Sequence, residues 1–309
     1  LESIIQAAGR CNRNGASPDG QVTVFVPDCE GALYPDAWYQ WQADCVKMLL
    51  AKGPIDLQDT EQIKTYFGLI DGGSTAVIEM AKANGIDLLK PEQRNPLLTS
   101  TCGTGEMIMK ALDLGVTKMI LGLGGSVTND GGAGMAQALG AKYFDAAGNS
   151  VAACGGSLNR IQNMDLSCLD PRLNTVEIVI ASDVNNPLSG PNGASYVFGP
   201  QKGANDEMVQ ILDQNLSHFA DAVEKAASHS CRHIAGAGAA GGLGFGLMAF
   251  AGAKIQSGVE LVIAQCRLAE KIAQADYVFT GEGKIDFQTK FGKTPFGVAQ
   301  AAARLNKPV

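Results

Sequence analysis

Residues 119–140, MILGLGGSVTNDGGAGMAQALG, decide how the rest of the chain is read. An apolar run from Met119 to Leu123 meets Gly124 and Gly125, then Ser126, Thr128, Asn129 and Asp130, then two more glycines and a helix-like segment. That order predicts a strand, a tight turn and a helix. Glycine lets the backbone approach a ligand closely, and a helix N-terminus offers unpaired N–H groups to an anion. The hydroxyls, amide and carboxylate of the turn add donors, acceptors and a metal ligand. The same residues also suit an ordinary βα turn capped by Asn129 or Asp130.

Two further strand ends are predicted downstream. Residues 176–182 (VEIVIAS) form a continuous apolar run, as a strand covered on both faces should. They deliver residues 183–188 (DVNNPL) at the C-terminal end, where open α/β sheets hold ligands. Residues 277–280 read as a third strand leading into a Gly-loosened loop with Glu282, Lys284, Asp286 and Lys293, although a solvated charged loop explains these as well. Residues 206–227 carry Met208, Ile211, Leu212, Leu216, Phe219 and Val223 at helical spacing, which reads as packing. Residues 101–114 predict a helix opened by Thr104-Gly105-Glu106, with Met107, Ile108, Ala111 and Leu112 on one stripe. Residues 74–81 and 141–145 read as strands, 94–97 as a turn and 295–305 as a helix. Residues 235–246 (AGAGAAGGLGFG) formally contain GxGxxG, but the preceding SHSCRHI makes a poor strand. Small residues that let a helix or a ligand come close are the better reading there.

Composition narrows the class. With 309 residues, 46% of them apolar and 18% charged, the chain can bury a sizeable core. A net charge of −7 argues against a surface that coats nucleic acid. None of the eight cysteines has CxxC spacing, and the histidines are His218, His229 and His233, so a zinc site is not expected. Scattered cysteines fit a reducing cytoplasm, and no signal peptide or membrane-length apolar run is present. The sequence starts at Leu1 and residues 307–309 look like the start of a strand, so a cut at both ends is expected.

Residues 1–66 differ in character. They hold both tryptophans, Trp38 and Trp41, and the pattern Gln6-x-x-Gly9-Arg10-x-x-Arg13, with a predicted strand at 21–27 and a helix at 37–52. Two arginines three apart on one helical face can fork onto a triphosphate. The segment resembles the end of the second motor domain of superfamily-2 helicases, most closely the helicase-nuclease of type I CRISPR systems. No strand–GxxxxGK[ST]–helix occurs anywhere, so neither motor function nor a nucleic-acid partner is expected despite Arg10 and Arg13.

The chemistry left is a kit of carboxylates, lysines, hydroxyls and glycine-lined turns. No Ser-His-Asp set exists, and no cysteine sits beside a histidine in a turn. The kit suits phosphoryl transfer, which needs positioning, Mg²⁺ bridging of phosphates and a carboxylate for the acceptor's hydroxyl proton.

Residues 124–135 (GGSVTNDGGAGM) resemble the signature of the bacterial type I glycerate kinases. So do 94–97 (RNPL), 104–106 (TGE), 183–188 (DVNNPL), 198–203 (FGPQKG), 236–244 and 280–286 (TGEGKID), in collinear order from about residue 68 to 309. The resemblance implies phosphorylation of D-glycerate by ATP with Mg²⁺, giving 2-phosphoglycerate and ADP. It implies an inserted α/β domain over 67–275 and a remnant of a flavodoxin-like domain over 276–309, preceded by the small helicase-like α/β fragment at 1–66. Carried over, it makes Asp183 the carboxylate acting on the glycerate hydroxyl or on Mg²⁺, with Asn186 holding it or the substrate and Asp130 beside them. Gly124, Gly125, Ser126, Thr128 and Asn129 would hold phosphate or the substrate carboxylate. Glu282 and Asp286 would contact metal or ribose, and Lys284 or Lys293 would pair with phosphate. The family's opening and closing stretches are absent, so part of the ATP or glycerate site is expected to be missing; an inactive fusion of two fragments is the alternative.

Overall fold

The computed structural model describes residues 67–227, 230–281 and 294–309, and the features expected at 1–66 and 282–293 lie outside them. The order is β1 (Phe67–Ile70), β2 (Thr75–Glu79), α1 (Ala81–Asn84), α2 (Cys102–Asp113), β3 (Lys118–Gly122), α3 (Ala133–Ala138), β4 (Lys142–Phe144), β5 (Asn163–Asp165) and β6 (Glu177–Ala181). There follow α4 (Ala194–Phe198), α5 (Asp206–Ala227), α6 (Ala239–Ala251), β7 (Lys254–Gln256), α7 (Gly258–Gln265), α8 (Leu268–Gln274) and α9 (Thr294–Arg304).

The sheet runs β1-β2-β3-β6-β7, with β1 antiparallel to β2 and every other pair parallel. Its register sets Met119 opposite Ala76 and Ile178, and Ile180 opposite Ile255. Ile178, Val179 and Ile180 are all buried, so β6 is covered on both faces, as its unbroken apolar run requires. In β3, Met119 and Leu121 are fully buried while Ile120 is half-buried, so this apolar run has one deeply covered face. β4 and β5 form a separate antiparallel ribbon. α5 packs beside it: Phe219 meets the ring of Tyr143 edge-on at 5.8 Å and touches Phe245 and Phe250. Burying each such ring or a Leu side chain is worth roughly 1.5–3 kcal/mol. A smaller apolar cluster joins Ile272, Val278, Ala301 and Ala302 around α8 and α9.

Three expectations are corrected. The helix at 101–114 starts one turn earlier than its Thr104 signal: Thr101 is the N-cap, and Thr104 is buried inside α2, where its N–H and hydroxyl both donate to Asn84 Oδ1. The stripe of α5 is shifted in phase, because Ile211 is 37% exposed while Val209, Asn215 and Ala220 are buried. Residues 277–280 are not a strand. Tyr277 and Phe279 point out and Val278 points in, as in a strand, but the ladder is missing; Val278 N–H makes one backbone bond, to Pro308 O.

Candidate active site

The turn after β3 is built from behind. Gly124 and Gly125 are exposed, whereas Ser126, Thr128, Asn129 and Asp130 are buried. Its carbonyls are turned inward: Gly125 O accepts from Ile86 N, Val127 O from the Thr99 hydroxyl, and Thr128 O from Lys202 Nζ at 2.6 Å. Val127 N donates to Asn84 O, so α1 and the loop after it hold the near side of the turn. What faces outward at Gly124-Gly125 is therefore glycine backbone, open to close approach.

Asp130, expected beside Asp183 and Asn186 or as a cap of the turn, is fully buried. Thr101 N (2.7 Å), the Thr101 hydroxyl (2.9 Å) and Gly134 N (3.2 Å) donate to its Oδ2, and Gly132 N (3.1 Å) donates to its Oδ1. It ties the N-terminus of α2 to that of α3, so the capping alternative describes it better. Burial pushes its carboxyl above the usual range, against the pull of these donors. Thr128 and Asn129 are also enclosed. Asn129 Nδ2 donates to the Ser195 hydroxyl in α4 at 2.9 Å, while among the described residues Asn129 Oδ1 and the Thr128 hydroxyl oxygen have no hydrogen-bond partner.

The second turn follows β6. Asp183 is exposed and its Oδ1 accepts from Gly258 N at the start of α7, 3.2 Å away. Asn186 is half-buried and its amide donates to Asn192 O at 2.8 Å. An exposed carboxylate at a strand end fits Mg²⁺, which takes one or two carboxylates together with substrate phosphates. Among the described residues, no group of three or more His, Cys, Asp or Glu side chains forms a protein-only metal cage.

One segment joins the two turns. Gly238 N donates to Asn186 O at 2.9 Å, and Gly241 O accepts from Gly131 N at 3.0 Å. A Cβ at Gly238 would overlap Pro187 O, and one at Gly241 would overlap Thr128 O. Gly241 and Gly242 take φ of 71° and 89°, left-handed values that glycine adopts freely. The expected close backbone approach of residues 235–246 is thus observed, between the two turns. Turns and loop, not a strand, lie between residue 230 and α6, so the dinucleotide fingerprint is not met.

Sequence reasoning gave no role to Lys202, Ser195, Asn84 or Thr101. Lys202 is 1% exposed and fully enclosed. Burial lowers its ammonium to about 7, and the Asp130 carboxylate acts the other way. Its one signal in the sequence was a lysine set between Gly199-Pro200 and Gly203, tight-turn residues that deny it a solvent-facing helix. The third residue set, Glu282, Lys284, Asp286 and Lys293, lies outside the described residues.

Fold and site together define an α/β protein with two ligand-ready turns at the C-terminal ends of neighbouring parallel strands. The family model described as the glycerate kinase family matches residues 43–309, starting inside the segment that resembles a helicase. The chain is 52% identical over 249 residues to Glycerate 2-kinase of Escherichia coli (strain K12), covering 81% of this chain and 65% of that protein. It is 50% identical to Glycerate kinase of Bacillus subtilis (strain 168), with the same coverage of each. A crystal structure of a glycerate kinase 2 from Salmonella typhimurium LT2 superposes with a TM-score of 0.74 at 50% identity, over 79% of this chain and 65% of that one. The chain belongs to the glycerate kinase family, and it spans about 65% of the length of these relatives. No helix among the described residues is long and apolar enough to cross a membrane.

Proposed function

We propose that the chain is an ATP-dependent phosphotransferase that moves a phosphoryl group onto D-glycerate, giving 2-phosphoglycerate and ADP. The observation that carries this reading is the glycine segment 236–242, which fastens the turn bearing Asp183 and Asn186 to the turn bearing Gly124 and Gly125. The name of the Escherichia coli relative, Glycerate 2-kinase, supports phosphorylation at the 2-position.

Asp183, exposed at the end of β6, accepts the proton of the attacking hydroxyl or holds Mg²⁺ with Glu282, and Asn186 stays beside it. Asp183 and Glu282 would hold Mg²⁺, which would supply charge neutralisation for the transferred group. Gly124 and Gly125 let backbone approach phosphate or the substrate carboxylate. Glu282, Lys284, Asp286 and Lys293 supply ribose, metal and phosphate contacts. The domain division at 67–275 and 276–309 belongs to the same proposal. No motor function is expected of the helicase-like residues 1–66, which lack a phosphate-binding GxxxxGK[ST] loop, and ATPase activity stimulated by DNA would overturn that expectation.

The test is ADP release, measured by a coupled assay with D-glycerate and Mg-ATP. Losing a positioned general base typically costs 10²- to 10⁴-fold, so D183N is expected to fall by about that factor. Turnover no higher than that of D183N refutes the proposal.

A further inference from the structure

We propose that Lys202 is the positioning residue of the 124–130 turn: it reaches through the core to the rear of the turn and fixes the backbone whose front the proposed reaction uses. This deepens the reading above and rests on it only for the purpose of the turn.

The geometry is specific. Lys202 ends a single turn of 3-10 helix, and Gly203 then takes φ +95° with its Cα against the Arg94 carbonyl, where a side chain would overlap. The lysine before it is buried. Its Nζ bonds Thr128 O, the carbonyl between the exposed glycines and buried Asp130. Ser195 holds the next side chain, Asn129, and Gly241 closes on the same carbonyl from a third element. Among the described residues no carboxylate is in ion-pair contact with Lys202, and a lysine buried in that way is expensive, so natural cores seldom keep one without a use. Asp130 is the charged group among the described residues whose field reaches it. Among the described residues, the Thr128 hydroxyl and Asn129 Oδ1 have no hydrogen-bond partner, and the Thr128 carbonyl is held by Lys202.

The experiment is hydrogen exchange on the full chain, read segment by segment, for wild type, K202M, K202R and V223A. K202M keeps the length and removes the donor; V223A opens the core from α5, where Val223 is fully buried. Expected for K202M is at least tenfold faster exchange over 124–131 than over 177–181, with K202R restoring protection and V223A loosening both segments alike. A K202M change equal in both segments, or none, overturns the proposal. Should K202M not fold, wild type decides: with ¹³C-labelled lysine and threonine, the Thr128 carbonyl shift must titrate with the Lys202 Cε shift, and a Thr128 shift that ignores Lys202 overturns it. D-Glycerate with Mg-ATP is added in a second arm. If wild type gains no protection at 124–131 there, the kinase reading fails while the K202M result still judges Lys202.

Discussion

Gly241→Ala tests the joint between the two turns. Two costs add at this position. Its φ of 71° lies in the left-handed region, where an L side chain costs about 1–2 kcal/mol. The new Cβ would also overlap Thr128 O and lie 2.7 Å from Asn129 Cα. Both obstacles are backbone, so relief requires moving the turn, and overpacking of this kind costs typically about 1–3 kcal/mol. The expected loss is therefore about 2–5 kcal/mol. Gly252 supplies the control at the other end of α6: its φ is 60°, but a Cβ there meets nothing within 4 Å. G252A should lose only the conformational part, about 1–2 kcal/mol. Urea unfolding of both variants, compared at equal m-values, isolates the packing difference. Equal stabilities for G241A and G252A would refute the idea that backbone contact at Gly241 holds the turns together.

Stability should also depend on pH through Lys202. Its ammonium lies at about 7 in the folded chain against 10.5 when unfolded, so unfolding takes up a proton between these values. Stability then rises with pH across that window, by up to about 1.4 kcal/mol per unit, and K202M should lack this slope; parallel pH profiles of chemical denaturation would contradict it. On α5, Leu212→Ala should cost about 2–5 kcal/mol, because Leu212 is fully buried, whereas Ile211→Ala should cost under about 1 kcal/mol at 37% exposure. Similar midpoints for the two in denaturant would show that the stripe runs through Ile211 after all.

Legibility followed how local each signal was. α5 could be bounded from the sequence because a 22-residue helix repeats its period many times; its phase slipped at Ile211 because an apolar residue can sit on either edge of a wide stripe. β6 was clear for the opposite reason, its run being apolar on every side. The segment 277–280 has the alternation of a strand, but a strand is completed by its neighbour, and neighbours are not written in a four-residue window. The turn after β3 was found, and the sequence left open whether its carboxylate meets a ligand or caps a helix. Asp130 reads as exposed chemistry until Thr101, 29 residues earlier, arrives to cap it. Lys202 escaped for a related cause: its partner is a main-chain carbonyl 74 residues away, which leaves no mark in side-chain pattern.

The parallel strands β2, β3, β6 and β7 stand in the sheet in the order in which they occur in the chain. During synthesis, each of these described strands therefore emerges after the neighbour it docks on, and no described strand is inserted later between them. Among the described strands growth goes by accretion in one direction, so a ribosome pausing past β3 leaves these strands side by side and not gapped.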